Sequence, residues 1–204
     1  ALEDARDYAP IGCIELTIPG RANPHAVSGE FCSTKCLELA LFDGQDPLSG
    51  VQVGPHTGQL DSFATFEELY AAYTRQVEFF SRQMVYHINR GELAQREGGP
   101  LPCLSVLTDD CIARGRDITD GGVVYNYHSI CFIGTPTTAD ALQALKKFVF
   151  EEKSVSAGEI LAALRASWQN QEPLRQKMLL RAPKYGNDLP EVDALAARVA
   201  GGFI

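Results

Sequence analysis

The sequence lacks the features of a membrane protein or a nucleic-acid-binding protein. Its 204 residues carry a formal net charge of -8 and contain no basic run of five or more residues, whereas a nucleic-acid surface is normally basic. No apolar run approaches the roughly 18 residues of a membrane span. The sequence begins with Ala instead of Met, and residues 1–4 are acidic. The basic segment followed by an apolar segment that marks a signal peptide is missing. We therefore expect no signal peptide, and we expect the chain to begin inside a longer reading frame.

Disulfide and metal motifs are missing as well. The six cysteines include no Cys-x-x-Cys pair and lie among apolar neighbours, which favours reduced, mostly buried thiols in a cytoplasmic protein. Cys32 and Cys36 are one helical turn apart, but no nearby His or Cys completes a tetrahedral set. The four histidines show neither His-x-x-x-His nor Glu-x-x-His spacing. We predict no metal site from these patterns.

Alternating helix and strand signals predict an α/β fold. The apolar content of 45% is sufficient for a real core. A capping box at Thr65-x-x-Glu68 opens a long amphipathic helix that Gly91 is expected to close, and Ser156-x-x-Glu159 opens another helix. Strands are predicted over residues 101–107 and 123–133. Further helices are predicted over residues 32–42, 139–150, 156–168, from Pro173 onwards, and 190–199.

The segment Gly12-Cys13-Ile14-Glu15 is the most informative part of the chain. In an extended backbone, residues i and i+2 project to the same face. Cys13 and Glu15 are therefore predicted to point into one cavity, where a thiol that carries a hydrogen atom would stand beside a carboxylate that carries a proton.

Several strings across the chain, taken in order and with their spacing, resemble the glycyl radical enzymes, the superfamily of pyruvate formate-lyase. Each string is weak alone, and the resemblance covers essentially all of the chain. The strings are GCIE at 12–15, PG at 19–20, KCLELAL at 35–41, GPHTG at 54–58, FEEL at 66–69, GRDITDGG at 115–122, ADAL at 139–142 and PKYGND at 183–188.

The resemblance implies a ten-stranded α/β barrel built from two half-barrels, of which residues 1–204 would form one part. Cys13 matches the finger loop whose cysteine becomes a thiyl radical. The Arg-Val-x-Gly-Tyr string of the second loop, which stores the radical on glycine, is absent. We therefore expect a partial catalytic domain without the N-terminal half-barrel and the C-terminal glycine radical domain.

The Gly-Cys-x-Glu form resembles the lyase branch, because pyruvate formate-lyase carries two adjacent cysteines. The implied reaction is elimination from a small hydroxylated substrate with cleavage of a C–O, C–N or C–S bond. The Cys13 thiyl would abstract a hydrogen atom and Glu15 would act as general base. Alternatives are an aryl-acetate decarboxylase, C–C cleavage of the formate acetyltransferase type, and a non-catalytic half-barrel fragment that needs a partner chain.

The resemblance also implies substrate contacts soon after the cysteine, so His25 and Ser28 are predicted to bind a polar substrate. Ser105 and His128 are further candidates, although a backbone-bonded hydroxyl and a core histidine would fit the same patterns. The implied cofactor is a glycyl radical on a segment outside this chain, with no metal in the chain itself. A radical S-adenosylmethionine activating enzyme is the implied partner. A homodimer in the cytoplasm or in a bacterial microcompartment is expected.

Overall fold

The computed structural model describes residues 2–12 and 15–203. Contacts divide the chain into two compact units, each built from two stretches of sequence. The first unit contains Ala1–Phe31 and Arg82–Cys131, and the second contains Cys32–Ser81 and Phe132–Ile204. The mixture of helices and short strands confirms the predicted α/β character.

The first unit carries most of the strands, paired two by two. β1 and β2 are antiparallel, with Ile11 opposite Glu15, and β3 and β5 are parallel, with Asn23 opposite Asn126. β4 pairs with β6. Cys111, Ile118 and Val123 form a small buried apolar cluster. The elements of this unit are α1 (Leu2–Arg6), β1 (Ala9–Ile11), β2 (Glu15–Thr17), β3 (Ala22–Asn23), α4 (Pro102–Val106), α5 (Cys111–Arg114) and β5 (Tyr125–Asn126), with a 3₁₀ turn at Ile118–Asp120. β4 (Gly29–Cys32) and β6 (Ile130–Ile133) begin in this unit and end in the second.

The second unit is helical, and α6 lies at its centre between α2 and α9. Its core consists of apolar side chains from these helices and from the first part of α3, among them Leu39, Leu69, Leu142 and Val192. Helix α3 (Phe66–Gly98) contributes residues 66–81 here and its remainder to the first unit. The other elements are α2 (Ser33–Leu41), α6 (Thr135–Leu145), α7 (Ala157–Arg165), α8 (Glu172–Leu180) and α9 (Pro190–Gly201), with a 3₁₀ turn at Leu60–Ser62 and a π-helical stretch at Lys146–Glu151.

The predicted capping box at Ser156 is confirmed, and the one at Thr65 is formed in part. Ser156 and Glu159 form a complete capping box at the start of α7. At the start of α3, the Thr65 hydroxyl accepts from the Glu68 N–H at 3.3 Å, while the Glu68 carboxylate accepts from the N–H of Ala64. Among the described residues, no helix combines the length and the apolar character that crossing a bilayer requires.

Three local predictions were wrong. The strand predicted over residues 101–107 is helix α4 (Pro102–Val106), because Pro102 suits the first helical turn and a short apolar run does not distinguish strand from helix. Helix α3 does not stop at Gly91 but continues to Gly98, since the intervening residues are good helix formers and one glycine costs only about 1 kcal/mol. The strand expected over residues 123–133 is interrupted between Asn126 and Ile130.

A close approach between Gly54 and α3 fixes the loop before that helix. The Gln76 side chain is fully buried, and its Nε2 donates to Pro55 O at 2.8 Å and to Thr57 Oγ1 at 3.0 Å. A Cβ added at Gly54 would lie 2.1 Å from Gln76 Oε1. A larger residue at position 54 would therefore clash with the Gln76 amide, which is buried and packed against its neighbours.

We predict that Gly54→Ala lowers the free energy of unfolding by about 1–3 kcal/mol, the usual cost of overpacking a filled core. The matched control is Gly91→Ala, where no atom lies within 4 Å of the added Cβ and the residue is inside α3. That variant is expected to raise the free energy by about 0.5–1 kcal/mol. Urea unfolding measures both, and equal midpoints for the two variants would contradict the assignment.

Candidate active site

The Glu15 carboxylate is buried and lies close to Gly12. Glu15 begins β2, faces Ile11 across the antiparallel pair, and is only 5% exposed. Gly12 has a φ of +56°, and a Cβ there would lie 2.6 Å from Glu15 Oε2. The Sγ of Cys131 lies 4.0 Å from Glu15 Oε1. Glycine at position 12 thus permits both the turn and the carboxylate position.

Cys13, the predicted thiyl residue, lies outside the described residues together with Ile14. That Cys13 and Glu15 face one cavity therefore stays a prediction. Of this pair, the structure describes only the Glu15 carboxylate, which is the group predicted to accept the proton.

A polar pocket of about 550 Å³ lies elsewhere in the first unit, between the loop before β4, the later part of α3, and the segment after β5. It brings together three of the four predicted substrate-binding residues, which come from distant parts of the sequence. The lining residues are His25, Ser28, Gly29, Glu30, Met84, His87, Ile88, Gly91, Glu92, Gln95 and His128.

Hydrogen bonds and ring stacking hold His25, Ser28 and His128 together. The two imidazole rings stack with centroids 4.2 Å apart and planes inclined by 26°. The Ser28 hydroxyl donates to the backbone oxygen of His25 at 2.6 Å, and Ser28 Oγ lies 2.8 Å from His128 Nδ1. His25 and Val27 both have positive φ, at +39° and +52°. The loop thus accepts backbone strain while presenting its polar side chains to the pocket.

Glu92 is the functional candidate that the sequence analysis missed. Its Oε1 accepts from Asn126 Nδ2 at 2.6 Å, and its Oε2 lies 3.4 Å from His128 Nε2. Burial alone would raise the pKa of Glu92, but these contacts with Asn126 and His128 outweigh it and lower the pKa. The signal that could have found Glu92 is helical periodicity, because it follows Ile88 by four residues on the same face of α3.

Ser105 is not part of this pocket. Its hydroxyl oxygen lies 2.7 Å from Asp117 Oδ2 and accepts from the Ile118 N–H at 2.9 Å. Asp117 also accepts from the backbone and side chain of Thr119 and from the Leu101 N–H. Ser105 therefore joins α4 to the following turn. The strand that was expected to present it to a barrel interior is a helix.

We predict that Ser105→Ala lowers the free energy of unfolding by about 1–3 kcal/mol, because it leaves buried polar groups of the turn without a partner. Cys103→Ala, an exposed change on the same helix, is the matched control and should stay within about 0.5 kcal/mol of the parent chain. Thermal and urea unfolding test both variants. An unchanged stability for Ser105→Ala would show that the hydroxyl is free for another role.

The family is decided by comparison of the whole chain with known proteins. Residues 1–204 match the family described as pyruvate formate lyase-like. The chain belongs to the pyruvate formate-lyase-like family. This confirms the resemblance that the sequence strings carried.

Members of the pyruvate formate-lyase-like family that are similar to this chain include dehydratases. The (2S)-3-sulfopropanediol dehydratase of Klebsiella oxytoca is 36% identical over 197 residues, which cover 95% of this chain and 24% of that protein. The glycerol-bound B12-independent glycerol dehydratase of Clostridium butyricum superimposes with a TM-score of 0.92 at 36% identity, covering 100% of this chain and 25% of that one. Hydroxyproline dehydratase of Clostridioides difficile, with its substrate bound, superimposes with a TM-score of 0.94 at 32% identity. This match covers 100% of this chain and 26% of that one.

These superpositions also identify the larger fold to which the described elements belong. The described elements form a portion of the α/β barrel of the glycyl radical enzymes. The chain spans about a quarter of the length of these relatives.

Proposed function

We propose that this chain is the cysteine-and-glutamate segment of a glycyl radical lyase that acts on a small hydroxylated substrate. The observation that carries the proposal is the buried Glu15 carboxylate, fixed against Gly12 two residues after Cys13. Family membership and similarity to two dehydratases support it. Activity is proposed for a polypeptide that supplies the remaining parts of the barrel and the radical glycine.

The reaction needs one hydrogen-atom carrier and one proton carrier. A glycyl radical, on a segment outside this chain, would accept the hydrogen atom of the Cys13 thiol as a new C–H bond and leave a thiyl at Cys13. Cys13 then takes a hydrogen atom from a substrate carbon that bears a hydroxyl. The hydroxyl of the resulting carbon radical is far more acidic, and the Glu15 carboxylate accepts its proton. The ketyl expels the leaving group from the adjacent carbon with its bonding electrons, and the proton held by Glu15 passes to that group. The Cys13 thiol then returns a hydrogen atom to the product radical, which regenerates the thiyl.

Burial suits Glu15 to this role. A carboxylate held in a water-poor site keeps its orientation, and general base catalysis of this kind contributes about 10²–10⁴ in rate. Exclusion of water and oxygen also protects a carbon radical from side reactions.

The polar pocket is proposed to contact the substrate through His25, Ser28 and His128. Its side chains offer both hydrogen-bond donors and acceptors, which fits a hydroxylated molecule. Decarboxylation of an aryl acetate is the second choice, because the similar proteins named above are dehydratases. Formate acetyltransferase chemistry is disfavoured because Cys13 stands alone between Gly12 and Ile14.

The proposed partners follow from the radical chemistry. A radical S-adenosylmethionine activating enzyme with an iron–sulfur cluster would generate the glycyl radical, and the lyase would act as a homodimer. The proposed setting is an anaerobic cytoplasm or a bacterial microcompartment.

We expect Cys13→Ala, placed in the activated full-length protein, to abolish turnover without preventing formation of the glycyl radical. The reason is that the radical is stored on another segment and only its use requires Cys13. Electron paramagnetic resonance measures the radical, and product analysis against diols, choline, isethionate, hydroxyproline and aryl acetates measures turnover. Product formation by Cys13→Ala would refute the thiyl role.

Glu15→Gln is expected to lower kcat by about 10²–10⁴ while KM changes little, because the amide keeps the shape but accepts no proton. Anaerobic steady-state kinetics provide the measurement. A parent-like kcat would remove the base assignment and leave Glu15 with a structural role.

Gly12→Ala is expected to lower kcat by about 100-fold, because the new Cβ would displace the Glu15 carboxylate. Gly20→Ala is the matched control: Gly20 also has a positive φ, +71°, but no atom lies within 4 Å of its added Cβ. Both variants carry the same type of backbone strain, so only displacement of Glu15 separates them. Equal kcat values for the two variants would argue against the positioning role of Gly12.

A further inference from the structure

The carboxylate of Glu92 fixes which way the Asn126 amide points. A carboxylate accepts hydrogen bonds and donates none, so the group 2.6 Å from Glu92 Oε1 is the amide nitrogen of Asn126. Turning that amide over would place two oxygens at this short distance. Asn126 Oδ1 therefore faces the other way, where it lies 2.9 Å from Nε2 of His25. An amide oxygen can only accept, so His25 carries its hydrogen on Nε2.

Asn23 approaches the same nitrogen and is the weaker of the two constraints. Its Nδ2 lies 2.9 Å from His25 Nε2 and 3.3 Å from the backbone oxygen of Ile118. Two nitrogens that both carry hydrogen do not bond to each other, so Asn23 has to present its amide oxygen to His25. That rotation gives up only the long bond to Ile118. The opposite choice would give up the 2.6 Å bond between Asn126 and a carboxylate, which is the stronger type.

Ser28 fixes the hydrogen on the neighbouring imidazole in the opposite sense. The single hydroxyl hydrogen of Ser28 points to the backbone oxygen of His25, 2.6 Å away, because that oxygen has no hydrogen to give. Ser28 Oγ then accepts from Nδ1 of His128 at 2.8 Å. The two rings stack with centroids 4.2 Å apart. The stacked pair therefore carries hydrogens at different places, on Nε2 in His25 and on Nδ1 in His128.

The described contacts leave one ring nitrogen of this pair open. Both nitrogens of His128 have neighbours, since Nδ1 donates to Ser28 and Nε2 lies 3.4 Å from Glu92 Oε2. In the part of the chain that the structure describes, the bonds of the His25 ring all go to Nε2. His25 lines the polar pocket. In the neutral ring its Nδ1 has a lone pair, so it can accept a hydrogen bond from a ligand.

We propose that Nδ1 of His25 accepts a hydrogen bond from a substrate hydroxyl, and that Glu92 is a positioning residue that acts through Asn126 to keep this nitrogen unprotonated. The inference rests on the proposed function, because it takes the polar pocket as the place where a hydroxylated substrate binds. It adds a rule of selection: the pocket favours alcohols, which donate a hydrogen bond, over ethers of similar shape. A histidine free to move its hydrogen between its two nitrogens would bind an ether oxygen as well, so the fixed tautomer creates the preference.

The positions of the ring hydrogens are measured by long-range ¹H–¹⁵N correlation NMR on the chain with ¹⁵N-labelled histidine. The pH is set well above the ordinary imidazole pKa of about 6.5. We expect an unprotonated Nδ1 in His25 and a protonated Nδ1 in His128, opposite states in two stacked rings. His25→Gln and His128→Gln assign the signals. A hydrogen on Nδ1 of His25 would overturn the proposal.

Glu92→Gln tests the positioning role. A glutamine side chain both donates and accepts, so the Asn126 amide can turn either way, and His25 should show a mixture of tautomers with intermediate ¹⁵N shifts. Gln95→Ala is the matched control, because Gln95 lines the same pocket on the same helix. Its His25 shifts should match those of the parent chain, and thermal melts check that both variants fold. Unchanged His25 shifts in Glu92→Gln, or equal changes in both variants, would overturn the role of Glu92.

Ethylene glycol and its dimethyl ether are the probes for the hydroxyl preference, because only the glycol donates a hydrogen bond. The glycol should move the Nδ1 shift of His25 toward the protonated value in a saturable way, and the ether should not. No movement with the glycol, or equal movement with both, would overturn the substrate contact. No radical or turnover is needed, so these results do not depend on a successful lyase assay. Failure here would leave the roles proposed for Cys13 and Glu15 standing.

Discussion

The polar side of the first unit depends on the carboxylate of Glu92. One of its oxygens accepts from Asn126 and the other lies beside His128, so a single side chain of α3 contacts both β5 and the segment that follows it. His25 reaches the same group through Asn126, and Ser28 reaches it through His128. Removing this one negative charge would leave Asn126 and His128 without the carboxylate that both contact.

Glu15 illustrates a different way of placing a carboxylate. Glu92 is held by side chains from other segments, whereas the space for Glu15 is created locally by a glycine three residues earlier. Cys131, from a distant segment, also lies 4.0 Å from this carboxylate. The local glycine explains why a short string of sequence was enough to identify Glu15 as a candidate, while Glu92 escaped notice.

Sequence patterns predicted the helices well where caps and periodicity were both present, as at Ser156 and along the first turns of α3. They failed where the signal is ambiguous in physical terms. The short apolar run at residues 101–107 satisfies strand and helix alike, and the effect of Gly91 depends on whether helix formers follow it. His25, Ser28 and His128 were named from the sequence, but their meeting with Glu92 required tertiary structure. Ser105 was misplaced because its interpretation depended on a strand that is a helix.

The continuation of α3 beyond Gly91 constrains how this protein can vary in length. Each residue added to an α-helix rotates everything after it by about 100°. Insertion or deletion of one residue between Ile88 and Glu92 would therefore swing the carboxylate away from Asn126 and His128, even if the helix stayed intact. When relatives are aligned, an acidic residue at this position is equivalent to Glu92 only if the helix before it has kept its phase.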